Sequence, residues 1–173
     1  SDPQKVLQTI QGVMLKTLKR KKIMTCFFAV FQPATGSLLV ANAGHSFPFL
    51  VRSDRVEQIE IPGSPLGTRL CRIEAPTART LSDQDFLVLY TDGLVEAHDE
   101  AGSMIGEKRV AGILPTLRGN RAQETVENLS AWHAQETGGR TPPEDDITLV
   151  VLQKTHPGAS ADRSPEPTQP IRA

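Results

Sequence analysis

Three aspartates lie where strands are predicted to end or begin. Asp92 follows the apolar segment Phe86–Tyr90, and Asp145 and Asp146 precede the apolar segment 147–152. If these segments are antiparallel neighbours, the end of one and the start of the other meet at one sheet edge, which brings Asp92 near Asp145. Carboxylates that lie so close repel each other unless a cation or a proton separates them. A hard divalent cation, Mg²⁺ or Mn²⁺, is therefore the expected ligand.

Each of these motifs also has a purely structural interpretation. Asp92-Gly93 is ordinary turn chemistry, and Asp145-Asp146 is an ordinary polar loop. Taken alone, neither motif identifies an enzyme.

His45 is a second candidate, because a side chain with a pKa near neutral suits the protonation of a leaving group. A histidine in the Gly-rich turn 42–45 is more often a local hydrogen-bonding residue, and this interpretation is favoured. Gly44 is expected to permit close backbone packing near the cleft.

The elements that must position these residues follow from hydrophobic periodicity and turn signals. Apolar residues at three- and four-residue steps predict an amphipathic helix over 3–21, with Asp2 as N-cap and Pro3 at its first position. Strands are predicted at 23–31, 37–43, 47–51, 55–61, 70–81, 86–90 and 147–152. Helices are predicted at 106–117 and 121–136.

Two details of the late helices are predicted as well. Pro115 should end or bend the first of them. On the second, Trp132 is interpreted as a packing residue on a stripe with Val126 and Leu129, and His133 as a surface residue. Strands first, helices later and one strand last predict an α+β fold.

The chain is predicted to form one domain over 1–154 and a disordered Pro-rich tail over 155–173. That tail contains four prolines, with Ile171 as its one large aliphatic residue. No apolar run approaches the roughly 20 residues of a membrane span. Cys26 and Cys71 are interpreted as small core residues in a reducing cytoplasm, with a disulfide between them as the less favoured alternative.

Charge gives little indication of a partner. The chain has 19 Lys and Arg against 20 Asp and Glu, a formal charge of −1, which does not favour general nucleic-acid binding. One dense basic run is interpreted as a solvated helix end, with nucleic acid, anionic lipid or a phosphoprotein as alternative contacts. It consists of Lys16, Lys19, Arg20, Lys21 and Lys22.

An ordered set of short motifs resembles the bacterial, SpoIIE-like branch of the metal-dependent serine/threonine phosphatases (PPM). The motifs are Asn42-Ala43-Gly44-His45, Pro65-Leu66-Gly67, Tyr90-Thr91-Asp92-Gly93-Leu94-Val95-Glu96-Ala97, Gly106-Glu107 and Glu144-Asp145-Asp146-Ile147-Thr148-Leu149-Val150-Val151. The resemblance covers roughly residues 2–153. It implies an α-β-β-α sandwich of two antiparallel sheets covered by helices, with two Mn²⁺ or Mg²⁺ ions in a cleft between the sheets.

The same resemblance implies roles for particular residues. Asp92 and Asp145 correspond to metal ligands, and neither would be a nucleophile. Asp146, Gly93 and Gly44 are expected to support the ligands without binding the metal. The implied activity is hydrolysis of phosphoserine or phosphothreonine by metal-activated water in bacterial signalling, on a phosphoprotein such as an anti-sigma-factor antagonist.

The chain departs from the family at one point. The family has an upstream Asp-x-Ser-Gly-His-Gly segment that bridges the two metals, and the 173 residues lack it. We therefore expect a domain truncated at its N-terminus, weak metal binding and little activity for this chain alone, and a longer parent protein with a sensor domain. The alternative is a non-catalytic, phosphatase-like module that binds a partner.

Overall fold

The computed structural model describes residues 2–18, 21–139 and 145–155. The elements are α1 (Pro3–Thr17), β1 (Cys26–Gln32), β2 (Ser37–Ala43), β3 (Phe49–Val51), β4 (Val56–Gln58), β5 (Thr77–Thr80), β6 (Phe86–Tyr90), α2 (Gly93–Glu96), α3 (Gly106–Leu117), α4 (Ala122–Glu136) and β7 (Leu149–Gln153). The predicted tail beyond Thr155, and Lys19 and Arg20 of the basic run, lie outside the described residues.

The strands form two antiparallel sheets. The first sheet has the order β1-β2-β5, and the second has the order β4-β3-β6-β7. β1 and β2 form the predicted hairpin, in which Cys26 pairs with Ala43. β6 and β7 pair along their whole length, with Tyr90 opposite Leu149. The strands that flank the three aspartates are therefore antiparallel neighbours, as the sequence analysis required.

Alternation along the strands gives each sheet two apolar faces. These faces are covered except at β7, where Val150 and Leu152 are 47% and 42% exposed. Leu38 and Val40 of β2 pack between the sheets against Leu50 and Leu87 of the second sheet. The opposite face of the first sheet is covered by α1, whose Leu7 packs with strand residues. The opposite face of the second sheet is covered by α2, α3 and α4. The layers therefore stack as an α-β-β-α sandwich, and the predicted fold class is confirmed.

The N-terminal cap of α1 has the predicted form. The Asp2 side chain accepts hydrogen bonds from the backbone N–H groups of Gln4 and Lys5, and Pro3 occupies the first turn. The helix is shorter than predicted, since it ends at Thr17 with Leu18 as its C-cap. The charged residues that follow supply no apolar side chains to continue the stripe, and Lys21 and Lys22 are exposed.

Two further differences from the predicted elements concern β5 and α2. The strand predicted at 70–81 is reduced to β5, because the segment before it contains Pro76, which has no N–H for a strand ladder. The predicted bounds of the first late helix, 106–117, are confirmed by α3, and Pro115 lies in its last turn without ending it. The four-residue helix α2 was not predicted, since one turn is too short to show a period.

Both cysteines are free and half-buried. Burial raises the pKa of the Cys26 thiol and of the Cys71 thiol above the usual value. They pack in the apolar cluster under α1, as small core residues do. Within the described residues, no helix combines the length and the apolar character that crossing a membrane requires.

Candidate active site

The junction between β6 and β7 continues past the last paired strand residues. The backbone N–H of Thr91 donates to the carbonyl of Thr148 over 3.1 Å. The Thr91 hydroxyl accepts from the N–H of Thr148 over 2.9 Å and donates to the carbonyl of Asp146 over 3.1 Å. The loop that carries Asp92 is thereby bound to the segment that carries Asp145 and Asp146.

Gly93 is required at this junction because its backbone lies close to the backbone of Asp146. A Cβ atom at this position would lie 2.7 Å from the carbonyl oxygen of Asp146, a contact that real side chains do not make. Any larger residue at position 93 would push the two acidic loops apart. Gly93 thus supports the site through packing, without contributing a side chain.

The three aspartates are exposed at this edge of the sheet. Asp145 lines a cavity of about 250 Å³ together with Gly93, Glu96 and Ala97. The Oδ1 atom of Asp145 accepts a hydrogen bond of 2.8 Å from the backbone N–H of Asp146, which fixes the turn before β7. In the part of the chain that the structure describes, neither Asp92 nor Asp145 forms an ion pair with a basic side chain.

Glu96 adds a carboxylate that the sequence analysis did not select as a candidate. It ends α2, four residues after Asp92, and it lines the cavity beside Asp145. Residues four apart on a helix lie on one face, so the spacing of Asp92 and Glu96 becomes informative only once helix α2 is known.

The donor set fits a hard divalent cation. The exposed donors at this edge are carboxylate oxygens, which Mg²⁺ and Mn²⁺ prefer. Among the described residues, no group of three His, Cys, Asp or Glu side chains has the arrangement of a metal site. A cation held here by Asp92 and Asp145 would therefore complete its coordination shell with water or with a group from outside these residues.

His45 and Gly44 belong to the loop after β2. The Nδ1 atom of His45 lies 3.1 Å from the Thr25 hydroxyl, and its backbone N–H donates to the Asn42 side chain over 3.0 Å. The buried Asn42 amide donates in return to the carbonyls of His45 and Ile61. These are local hydrogen bonds of the kind expected for His45, and a catalytic role for this residue stays a prediction.

Gly44 has a backbone φ of 71°, in the left-handed region that favours glycine. A Cβ atom there would lie 2.8 Å from Cδ of Pro65, so a side chain at this position would displace the loop around Pro65. The Gly44 backbone thus packs directly on the Pro65-Leu66-Gly67 segment.

The loop of His45 lies at the same end of the sandwich as Asp92 and Asp145. At the opposite end, the side chain of Lys154, which follows β7, lies against Gly36 in the turn between β1 and β2. Neighbouring strands are antiparallel within each sheet, and the two sheets pack face to face. The start of β1 and the end of β2 therefore lie at the same end of the sandwich as the end of β6 and the start of β7. We call this end, which carries Asp92, Asp145 and His45, the acidic end.

Behind the acidic loops lies His133 of α4, which the sequence analysis placed at the surface. This prediction was wrong, because the side chain is 7% exposed and lines a cavity of about 320 Å³ with Leu94 and Ile147. Burial lowers the pKa of His133, and the nearby Gly93 backbone opposes this shift in part. Trp132 is partly buried against the helix-covered core, which confirms its predicted packing role.

Comparison with known proteins adds independent information. The sequence model of the family described as Stage II sporulation protein E (SpoIIE) matches residues 1–155. No curated protein sequence matches the chain.

Several solved structures share the fold. The phosphatase domain of SpoIIE from Bacillus subtilis, presoaked with Mn, is 18% identical with a TM-score of 0.66, over 90% of this chain and 68% of that one. The SiaA-PP2C domain of Pseudomonas aeruginosa is 23% identical with a TM-score of 0.76, over 88% and 61%. A structure of RsbU and RsbW domains from Mycobacterium tuberculosis is 21% identical with a TM-score of 0.69, over 90% and 42%.

Proposed function

The chain belongs to the SpoIIE family of PPM-type phosphatases, and we propose that it forms part of a metal-dependent phosphatase domain that hydrolyses phosphoserine or phosphothreonine in proteins. The observation that supports this proposal is the β6–β7 junction, which brings the loops of Asp92 and Asp145 to one sheet edge. Two exposed carboxylates at one edge, without basic partners among the described residues, suit a divalent cation better than they suit packing.

In this proposal Asp92 and Asp145 hold Mn²⁺ or Mg²⁺. Cations bound in such a site lower the pKa of water and supply positive charge to the phosphate oxygens. Thr91 fixes the spacing of the two loops through its three hydrogen bonds, and Gly93 allows their backbones to approach. Glu96 extends the acidic lining of the cavity, and Asp146 fixes the Asp145 carboxylate through its backbone N–H.

The biological setting belongs to the same proposal. The substrate is a phosphoprotein, such as a phosphorylated anti-sigma-factor antagonist, and the setting is signalling in a bacterial cytoplasm. A sensor domain in the parent protein would control the phosphatase. The family membership and the phosphatase-like fold support this setting.

The direct test is release of phosphate from a phosphoserine peptide with Mn²⁺, with Mg²⁺ and with EDTA. It is run on this chain and on a chain extended upstream to include an acidic metal-bridging segment. We expect metal-dependent turnover by the extended chain, and weak Mn²⁺ binding with little turnover by the chain of 173 residues.

The variants Asp92→Asn and Asp145→Asn in the extended chain should each lower turnover by several orders of magnitude, because each removes one oxygen ligand. Circular dichroism should show an intact fold, since both side chains are exposed. Near-normal Mn²⁺-dependent turnover by either variant would refute the assignment of these ligands. Absence of turnover from the extended wild-type chain would favour the non-catalytic, partner-binding alternative.

A further inference from the structure

An exposed surface lies where α1 ends. It combines two aliphatic side chains, Ile23 and Leu70, which are 66% and 89% exposed, with exposed basic side chains. We call it the α1-end surface. Its members are Lys16, Lys21, Lys22, Ile23, Arg69 and Leu70.

Hydrogen bonds hold these segments together. The Gln11 side chain of α1 donates to the carbonyl of Thr68 over 2.8 Å and accepts from the N–H of Gly67 over 2.5 Å. Met24 and Leu66 exchange two backbone hydrogen bonds of 3.0 and 2.7 Å. The loop of Arg69 and Leu70 is therefore fixed against α1 and against the segment of Lys22 and Ile23.

The charged members of the α1-end surface, Lys16, Lys21, Lys22 and Arg69, are all basic. No Asp or Glu occurs between Pro3 and Ser53, whereas apart from Asp2 the acidic residues of the chain lie at position 54 and beyond. Arg72, next to the surface, is paired with Glu74 over 2.5 Å. Lys16, Lys21, Lys22 and Arg69 form no ion pair within the described residues. The exposed cations of the α1-end surface are thus available to an acidic partner.

The surface lies near the acidic end of the sandwich. β1 begins at Cys26, three residues after Ile23, and its start lies at that end. Thr25, between them, contacts the His45 ring. A protein bound to the α1-end surface would therefore extend toward the edge that carries Asp92 and Asp145.

We propose that the α1-end surface docks an acidic and apolar surface of the phosphoprotein substrate, an inference that rests on the proposed phosphatase function. Protein interfaces bury aliphatic side chains at their centre and place charges at the rim, which is the arrangement of Ile23 and Leu70 among lysines. Charge complementarity fixes the orientation of such a partner and increases its rate of association. Docking thus brings the phosphorylated residue to the carboxylate edge.

The structure favours a protein over a membrane surface at this position. An interfacial helix needs a free apolar face, and Leu7 and Met14 on the apolar stripe of α1 are buried against the first sheet. Exposed Ile and Leu side chains also add no positive charge or hydrogen-bond donor to contacts with nucleic-acid phosphates.

The test measures binding of two fluorescent phosphoserine peptides by anisotropy, one flanked by Asp, Glu and Leu and the other by Lys and Ser. Measurements are made in EDTA, so that binding does not depend on turnover. We expect the acidic–apolar peptide to bind the wild-type chain at least about tenfold more tightly. The double variants Lys21→Glu/Lys22→Glu and Ile23→Ser/Leu70→Ser should each weaken that binding by about tenfold.

Matched controls change the same residue types elsewhere on the surface. Lys108→Glu on α3 and Leu152→Ser on β7, where Leu152 is 42% exposed, should leave peptide binding unchanged. The tested side chains are exposed, so circular dichroism should show that every variant folds.

The outcomes separate the docking surface from the proposed function. Loss of binding in the two double variants, with binding retained in Asp92→Asn, supports docking even if the extended chain hydrolyses nothing. Equal binding of both peptides overturns the proposal. Binding to phosphatidylglycerol vesicles that the double variants abolish, without peptide binding, would overturn it in favour of a lipid surface. Self-association that the double variants abolish, again without peptide binding, would overturn it in favour of a second copy of the chain.

Discussion

The Thr91 hydroxyl donates a hydrogen bond to the backbone carbonyl of Asp146, with 3.1 Å between the two oxygens. The same hydroxyl oxygen accepts from the N–H of Thr148 over 2.9 Å. The neutral side chain of Thr91, directly before Asp92, therefore connects the two loops that carry the exposed carboxylates by hydrogen bonds. The backbone spacing of the site is set by contacts that do not involve the candidate ligands themselves.

Replacing Thr91 by Val removes this hydroxyl and keeps the shape of the side chain. The exposed Thr148 N–H exchanges its protein acceptor for water, so we expect the free energy of unfolding to fall by about 0.5–1.5 kcal/mol. Mn²⁺ affinity should fall as well, because the Asp92 and Asp145 loops are no longer bound together. Urea unfolding and calorimetric titration measure the two effects.

Thr91→Ser is the matched control, because it keeps the hydroxyl and loses one methyl group. It should retain most of the Mn²⁺ affinity. Equal affinities for the Val and Ser variants would show that the hydroxyl does not position the loops.

The β6–β7 junction could be predicted from the sequence because the apolar segments 86–90 and 147–152 are strong strand signals. When two such strands pair in antiparallel orientation, the residue that follows the first strand lies beside the residue that precedes the second. The hairpin of β1 and β2 was predictable for a similar reason, since the turn at 33–36 contains a glycine. The metal-binding roles of Asp92 and Asp145 remain predictions, as does disorder of the tail.

The sequence did not allow prediction of features that depend on tertiary contacts. The buried face of α4 carries Thr125, Leu129 and His133, at four-residue steps. The apolar side chains of Val126, Leu129 and Trp132 predict a different stripe, because they are more apolar than Thr125 and His133. The packing of α4 on β7 decides which of the two stripes is buried, and it places His133 behind Gly93. Glu96 was missed because its position depends on the short helix α2.

Gly93→Ala tests the close approach of the two acidic loops. The added Cβ would lie 2.7 Å from the Asp146 carbonyl oxygen, so the loops must separate. We expect a loss of about 1–3 kcal/mol in stability, measured by urea unfolding, and weaker Mn²⁺ binding. Gly112→Ala is the control, because that glycine lies inside α3 with no atom within 4 Å of an added Cβ. This second variant should be stabilised by about 0.5–1 kcal/mol. Equal stability of the two variants would contradict the packing argument.

The ion pair of Arg52 with Asp85 stabilises the opposite end of the sandwich. Their side chains lie 2.7 Å apart and are 18% and 7% exposed, and Asp85 also accepts from the N–H of Ser82 over 2.8 Å. Asp85→Asn removes the more buried of the two carboxylates that pair with the Arg52 guanidinium, so we expect a loss of about 2–3 kcal/mol in urea unfolding. Asp54→Asn removes an exposed partner of Arg55 and should have no measurable effect. A stable Asp85→Asn variant would show that Glu57, also paired with Arg52, suffices.

The buried His133 should make stability depend on pH. Burial lowers its pKa in the folded protein below the usual value of 6.5, so the unfolded chain takes up a proton first as the pH falls. The free energy of unfolding should therefore be constant above about pH 7.5 and should decrease as the pH falls through 6.5, by at most about 1.4 kcal/mol per pH unit. Urea unfolding between pH 7.5 and 5.5 measures this decrease.

The variant His133→Leu identifies the group responsible. It removes the titrating ring from a site whose neighbours include Leu94 and Ile147, and it removes a buried Nε2 atom that has no hydrogen-bond partner. Above pH 5.5 most carboxylates stay ionised in both proteins. The pH dependence of the free energy of unfolding therefore differs between them mainly through the imidazole at position 133. We expect the variant to lose less stability than the wild-type chain between pH 7.5 and 5.5. Parallel curves for the two proteins would show that a group other than His133 causes the pH dependence.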